Sequence, residues 1–149
     1  MLGLAFLAGV LVVVGAPFLS RLGWGRWGTP ALGWVGVAGM ILGIGLRFWA
    51  NQTLGAAYTR TLKILPGQAV ISKGPYRVLR HPGYAGVLLM WLSAGLTLEN
   101  WIALVTIAVI FAWAYRRRMN AEEAMLLARL GGAYREYSRH TWRVVPFVY

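Results

Sequence analysis

The chain has 149 residues, 58% of them hydrophobic, with 15 Lys and Arg against only four acidic residues, all Glu, and it has no Cys. A soluble domain of this length is less apolar and more evenly charged, so the composition points to one membrane-embedded domain. The missing Cys and Asp exclude a disulfide framework, thiolate chemistry and a Ser-His-Asp site, and they leave no strong metal-ligand set.

Leu2 to Leu19 carries no charge and comes close to the ~20 residues that cross a bilayer. No basic segment precedes it, and it is long for the core of a signal peptide, so it reads as a retained helix. Arg21 and Arg26 sit in the Gly-rich loop that follows, and Pro30 suits the first turn of the next helix. Ala31 to Ala50 is a second span. Its Gly36, Gly39, Gly43 and Gly45 include spacings that let helices approach closely in lipid. Arg47, near the end of this span, has snorkelling to the interface as its simplest role.

Residues 51–82 are too polar and too punctuated by Gly and Pro to cross, with Thr61 to Ile71 expected as a short irregular or extended piece. Two further apolar runs, Gly83 to Leu98 and Trp101 to Tyr115, flank a polar break at Glu99-Asn100. Each run is about 24 Å long as helix, enough for a locally thinned bilayer. After Arg116-Arg117-Arg118 an amphipathic helix is expected to Leu130. Gly131-Gly132 interrupts it, and an aromatic, basic tail follows. The expected fold is therefore an all-α integral membrane domain over residues 1–149. It has four spans, a loop over 51–82 and a tail over 116–149, and the loop and tail together form a pocket.

Two polar constellations stand out. The first is SKGPYRVLRHPGYAG from Ser72 to Gly86, in which Arg80 and His81 offer donors and Tyr76 and Tyr84 offer rings. Pro75 and Pro82 stiffen its backbone, and its glycines permit close approach. The second is Glu122-Glu123, half of all the acidic residues, followed by Tyr134, Tyr137 and Arg143. Each has a plain structural reading. The two glutamates on a helix can answer Arg116 to Arg118 at spacings near i,i+4, and His81 can bond a loop carbonyl. The basic excess could suggest nucleic acid, but positive charge flanking membrane spans accounts for it without that partner.

The spacing G-P-Y-R-x-x-R-H-P-x-Y-x-G at Gly74 to Gly86 resembles the signature of the isoprenylcysteine carboxyl methyltransferase family, to which phospholipid N-methyltransferases are related. R-F-W-A-N-Q-T-L-G at Arg47 to Gly55, Y-R-x-R-x-x-x-E-E at Tyr115 to Glu123 and G-x-x-Y-x-x-Y at Gly131 to Tyr137 continue the resemblance in register. The tail departs slightly, with R-V-V-P-F at Arg143 to Phe147 in place of the usual Arg-Leu/Ile-Ile/Leu-Pro ending. The resemblance implies S-adenosylmethionine as methyl donor and a lipophilic acceptor entering from the bilayer, a prenylcysteine-like or other hydrophobic acid. It implies that Tyr76, Arg80, His81, Pro82, Tyr84, Gly86, Glu122, Glu123, Tyr134 and Tyr137 hold the donor. It also implies that Arg47 and Glu123 act in catalysis, with Arg47 handling the acceptor carboxylate. The alternatives are a phospholipid amine N-methyltransferase, a sterol-reductase-like NADPH enzyme and a non-catalytic membrane adaptor.

Charge sets the expected topology. The loop carries Arg60, Lys63, Lys73, Arg77 and Arg80 and the tail seven arginines, against only Arg21 and Arg26 between the first two runs. The positive-inside rule puts loop, tail and both termini of the chain in the cytoplasm. Single cysteines introduced at Gly25 and Ser138 are expected to label from opposite faces of the membrane. Labelling of both from one face would overturn the topology.

Overall fold

A computed structural model describes residues 2–55 and 70–148. The expected irregular piece at Thr61 to Ile71 lies almost wholly outside these residues, as do Arg60 and Lys63. Among the described residues five α-helices follow in order: α1 (Leu2–Arg21), α2 (Pro30–Leu54), α3 (Pro82–Thr97), α4 (Trp101–Leu130) and α5 (Gly132–Arg139), with a 3-10 turn over Gly74–Arg77 ahead of α3. Among the described residues there is no strand, only two isolated bridges.

Two boundaries differ from the sequence reading. Helix α2 continues through the polar Asn51-Gln52-Thr53, where the Thr53 hydroxyl bonds the Trp49 carbonyl at 2.9 Å. It stops at Gly55, whose φ of 52° few other residues adopt. The run ending at Tyr115 and the amphipathic helix expected after it are one helix of 30 residues. Arginine is a good helix former, so the change from apolar to cationic surroundings alters what the helix faces and not its backbone.

Helix α2 packs chiefly along α3, and α4 packs against α1 and α3. The α2–α3 seam is made by glycines. A Cβ added at Gly43 would lie 2.6 Å from the Gly86 carbonyl oxygen and 2.8 Å from the Met90 nitrogen, and Gly36 and Gly39 abut Ser93 and Thr97 in the same way. Gly45 faces open space. The backbones thus touch where dispersion and close packing, not hydrophobic transfer, hold helices in lipid. On the other side, Trp91 stacks on Phe111 at 4.6 Å and Phe6 meets both edge-on. Gly9 of α1 leaves room for the Phe111 ring.

The end of the bundle away from Arg80 is closed by Asn100, which is fully buried. Its side-chain oxygen caps α4 at the Ala103 amide, 3.1 Å away, and its NH2 donates to Ser20 Oγ and the Trp24 carbonyl, both at 2.9 Å. Every polar valence of this buried amide is used within the protein except the second lone pair of its oxygen. Large apolar side chains instead line the outside: Leu4, Leu11 and Val14 on α1, and Trp34, Ile41 and Leu42 on α2. These two helices are long and apolar enough to cross a membrane.

The seam generates a contrast. Gly43→Val is expected to destabilise the protein in detergent by ~1–3 kcal/mol, the usual cost of forcing extra methyl groups into a tight contact. Gly45→Val should leave the unfolding midpoint unchanged. Equal effects at both positions would mean that the seam is not where the helices meet.

Candidate functional site

At the other end, α4 runs on past the core, and its inward stripe changes character. Phe111, Tyr115 and Met119 are buried in the core. One turn further, Glu122 and Glu123 face two different partners, as neighbours about 100° apart on a helix can.

Glu123 is the hub. Its Oε1 accepts from Arg80 Nε at 3.2 Å, His81 Nε2 at 3.0 Å and Arg143 Nε at 3.1 Å. Its Oε2 lies 3.1 Å from Arg143 Nη2, which completes a bidentate fork. An ionised carboxylate only accepts, so the Nε2 of the buried His81 carries a proton. Burial pushes the Glu123 carboxyl up from its ordinary 4.5. The bond and charge of His81, with Arg143 and Arg80, outweigh burial and hold it at about 2.

Glu122 turns to α3. The Tyr84 hydroxyl donates to Glu122 Oε2 at 2.6 Å and accepts from Arg118 Nε at 3.2 Å. The Tyr84 ring lies parallel to the His81 ring, 5.4 Å between centroids. The two glutamates therefore grip the start of α3 at residues three apart, on successive turns of the chain. The plain i,i+4 reading of the pair does not describe Glu123, whose ion pairs all reach outside its own helix.

The loop before α3 is held from behind. Arg80 Nη1 donates to the carbonyls of Ser138 and Thr141, both at 2.7 Å. Its amide donates to the Trp142 carbonyl at 2.7 Å, the His81 amide to the Arg143 carbonyl at 3.1 Å, and the Trp142 amide to the Val78 carbonyl at 2.8 Å. The Tyr137 hydroxyl, raised to about 12 by burial, bonds the Tyr76 carbonyl at 2.8 Å. Tyr134 is buried beside Tyr137, and its hydroxyl has no hydrogen-bond partner among the described residues. Burial raises its pKa as well, with the Glu123 charge adding to the effect, so it stays a donor at neutral pH.

Most of the expected site residues thus meet at one end of the bundle: Arg80, His81, Tyr84, Glu122 and Glu123 directly, with Tyr76, Tyr134 and Tyr137 packed behind the loop. Pro82 opens α3 in its first turn. Gly86 faces α2, where a Cβ would lie 2.8 Å from the Arg47 nitrogen and 3.1 Å from its Cβ. Gly86 therefore brings the backbone of Arg47 against α3, one turn into the helix that His81 begins. Arg47 is half-buried, and its side chain forms no hydrogen bond or ion pair among the described residues. Arg143, read in the sequence as part of the second polar constellation, also shares a short side-chain contact with Asn120, which was not among the expected site residues. A cleft of about 500 Å³ opens beside the hub, lined by Arg80, Glu123, Arg143 and residues 138–142.

The model of the isoprenylcysteine carboxyl methyltransferase (ICMT) family matches residues 34–128, more than half of the chain. The chain is 32% identical over 98 residues to the uncharacterized protein YpbQ of Bacillus subtilis, which covers 65% of this chain and 58% of YpbQ. It is 32% identical over 115 residues to protein-S-isoprenylcysteine O-methyltransferase B of Arabidopsis thaliana, covering 76% of this chain and 58% of that one. It therefore spans about three-fifths of the length of these relatives. Its all-helical fold is similar to the solved eukaryotic intramembrane Ras methyltransferase ICMT, with a TM-score of 0.80 at 22% identity over 98% of this chain and 52% of that one.

The depressed carboxyl generates a pH prediction. Stability contributed by Glu123 is complete above its unfolded value of 4.5 and is lost as pH falls through about 2. Between those values the protein is expected to lose ~2–3 kcal/mol from this group alone. Glu123→Gln should be less stable at pH 7 and should flatten that acid limb in thermal unfolding. An unchanged limb would place the acid sensitivity elsewhere.

Proposed function

The chain belongs to the isoprenylcysteine carboxyl methyltransferase family, and from that premise we propose that it is a membrane methyltransferase using S-adenosylmethionine to methylate the carboxylate of a lipophilic acceptor, a prenylcysteine-like or other hydrophobic acid. The observation that carries this reading is the meeting of the two motif halves. His81 of R-H-P-x-Y-x-G and Glu123 of the E-E pair lie 3.0 Å apart across 42 residues of chain.

The residues present fit such a donor. When bound, S-adenosylmethionine supplies a methyl group made electrophilic by its sulfonium. Glu122 offers a carboxylate for an ammonium or for ribose hydroxyls, and Arg80 and His81 offer donors for a carboxylate. Tyr134 supplies a buried hydroxyl with no partner within the described residues, a group that a bound polar ligand would satisfy. Glu123, held at about 2, is a weak base. Its work in this reading is to fix Arg80, His81 and Arg143, and the acceptor is one that arrives already ionised and needs no proton removed. Arg47 holds that acceptor through its planar fork.

In this reading α1, α2, α3 and the first half of α4 cross the membrane, and the site opens to the cytoplasm. The donor is charged and comes from water, the acceptor is greasy and comes from lipid, and the two meet where α2 ends and α3 begins.

Calorimetry on protein in lipid nanodiscs tests the reading. S-adenosylmethionine is expected to bind and NADPH is not, and absence of binding by the former would overturn the proposal. Arg47→Ala should retain that binding but lower methyl transfer to a lipophilic carboxylate by ~10²-fold or more, the scale for lost positioning. Arg47→Lys, which keeps the charge and loses the fork, should restore only part of the rate. Turnover of Arg47→Ala at the wild-type rate would reduce Arg47 to an interfacial anchor.

A further inference from the structure

The segment that pairs with the Arg80 loop has two faces. Arg143 points inward to Glu123, and Val144 is buried in the same core cluster as Tyr115 and Met119 of α4. Trp142 and Val145 point outward at 40% and 48% exposure, and Phe147 and Val148 at 85% and 77%. Val78, which accepts the Trp142 amide bond, adds a further exposed apolar side chain beside them. The Trp142 and Phe147 rings contact each other at 5.5 Å, with Phe147 held at a φ of 67°.

The depth of this patch can be read from α4. Arg117 lays its guanidinium over the exposed Trp113 ring, 5.2 Å from its centroid. Such a pair, with the ring toward lipid and the cation toward water, marks where a helix leaves the hydrocarbon. Tyr115 lies between these two residues, and Val144 packs into its cluster. Arg143 also pairs with Glu123, six residues beyond Arg117 on α4, so the outward face of residues 142–148 lies just beyond that exit, where the headgroup layer begins. Aromatic and aliphatic tips bordered by arginines are the composition of a segment that lies in that layer.

We infer that residues 142–148 form an interfacial wedge, with Trp142, Val145, Phe147 and Val148 seated in the phospholipid headgroup and upper acyl region. The inference rests on the membrane reading of α1 and α2. The chain has no cysteine, so a single spin label reports without background. Phe147→Cys and, separately, Val148→Cys would be labelled in nanodiscs of phosphatidylcholine and phosphatidylglycerol. Gly45→Cys on the outer face of α2 serves as the lipid reference and Arg139→Cys as the water reference. Collisions with oxygen are expected to exceed those with a water-soluble nickel chelate at 147 and 148, as at 45 and opposite to 139. Chelate access at 147 and 148 equal to that at 139 would overturn the wedge. So would shielding from both reagents, which would show a protein neighbour on the patch. A label at 45 that meets the chelate freely would instead overturn the membrane reading itself. The readout does not depend on methyl transfer, so the wedge and the enzymatic proposal stand or fall separately.

Discussion

One carboxylate holds the working end of this protein together. Glu123 gathers two guanidiniums and an imidazole from three places in the chain: the loop before α3, the first residue ahead of α3, and the segment after α5. Three donors of this kind, partly withdrawn from water, are costly without an anion among them, and removing one partner of such a cluster costs more than the pair itself contributes. The backbone pairing of Val78 to His81 with Trp142 and Arg143 and the grip of Arg80 on the end of α5 are arranged around that carboxylate. Glu122 adds a second, independent tie through Tyr84.

This cluster can be held in place because the bundle beneath it is stiff in two different ways. Between α2 and α3 the backbones touch through Gly36, Gly43 and Gly86, with Gly39 against the Ser93 side chain, which fixes the height of Arg47 against the start of α3. Between α1, α3 and α4 the contact is made by rings, with Phe6, Trp91 and Phe111 in mutual contact. At the far end the buried Asn100 locks the α1–α2 loop onto the cap of α4. A site made of long polar side chains thus rests on helix ends whose relative positions are set by packing.

Much of this was legible in the chain. The apolar runs located the helices, and Glu99-Asn100 located the turn between α3 and α4. The motif residues assembled at one end, as their polarity suggested. The rest was hidden for physical reasons. Glycine spacing on α2 does not say which glycines face a partner, and Gly45 turned out to face away. The arginine triplet looks like a boundary because the surroundings change there, yet the helix does not. The pairing of residues 78–81 with 142–143 is carried by backbone groups that leave no trace in side-chain identity. The partners of Glu123 were obscured by nearer arginines on its own helix, which offer a local explanation that tertiary contacts override.

The unbroken course of α4 has a further consequence. Phe111, Tyr115, Met119 and Glu123 recur every fourth residue, so one inclined ridge of the helix is oily below and becomes ionic above. The helix therefore acts as a key shaft whose teeth are cut for two different locks. Removing one residue between Tyr115 and Glu122 would turn the upper teeth by about 100° and withdraw them by about 1.5 Å while the lower ones stayed seated. Lengthening the shaft is tolerable only in steps near seven residues, which nearly restore the phase but lift the acidic pair by about 10 Å. The distance from the oily core to the acidic pair is thus set by helical phase, and the loop before α3 has to meet that pair at one height.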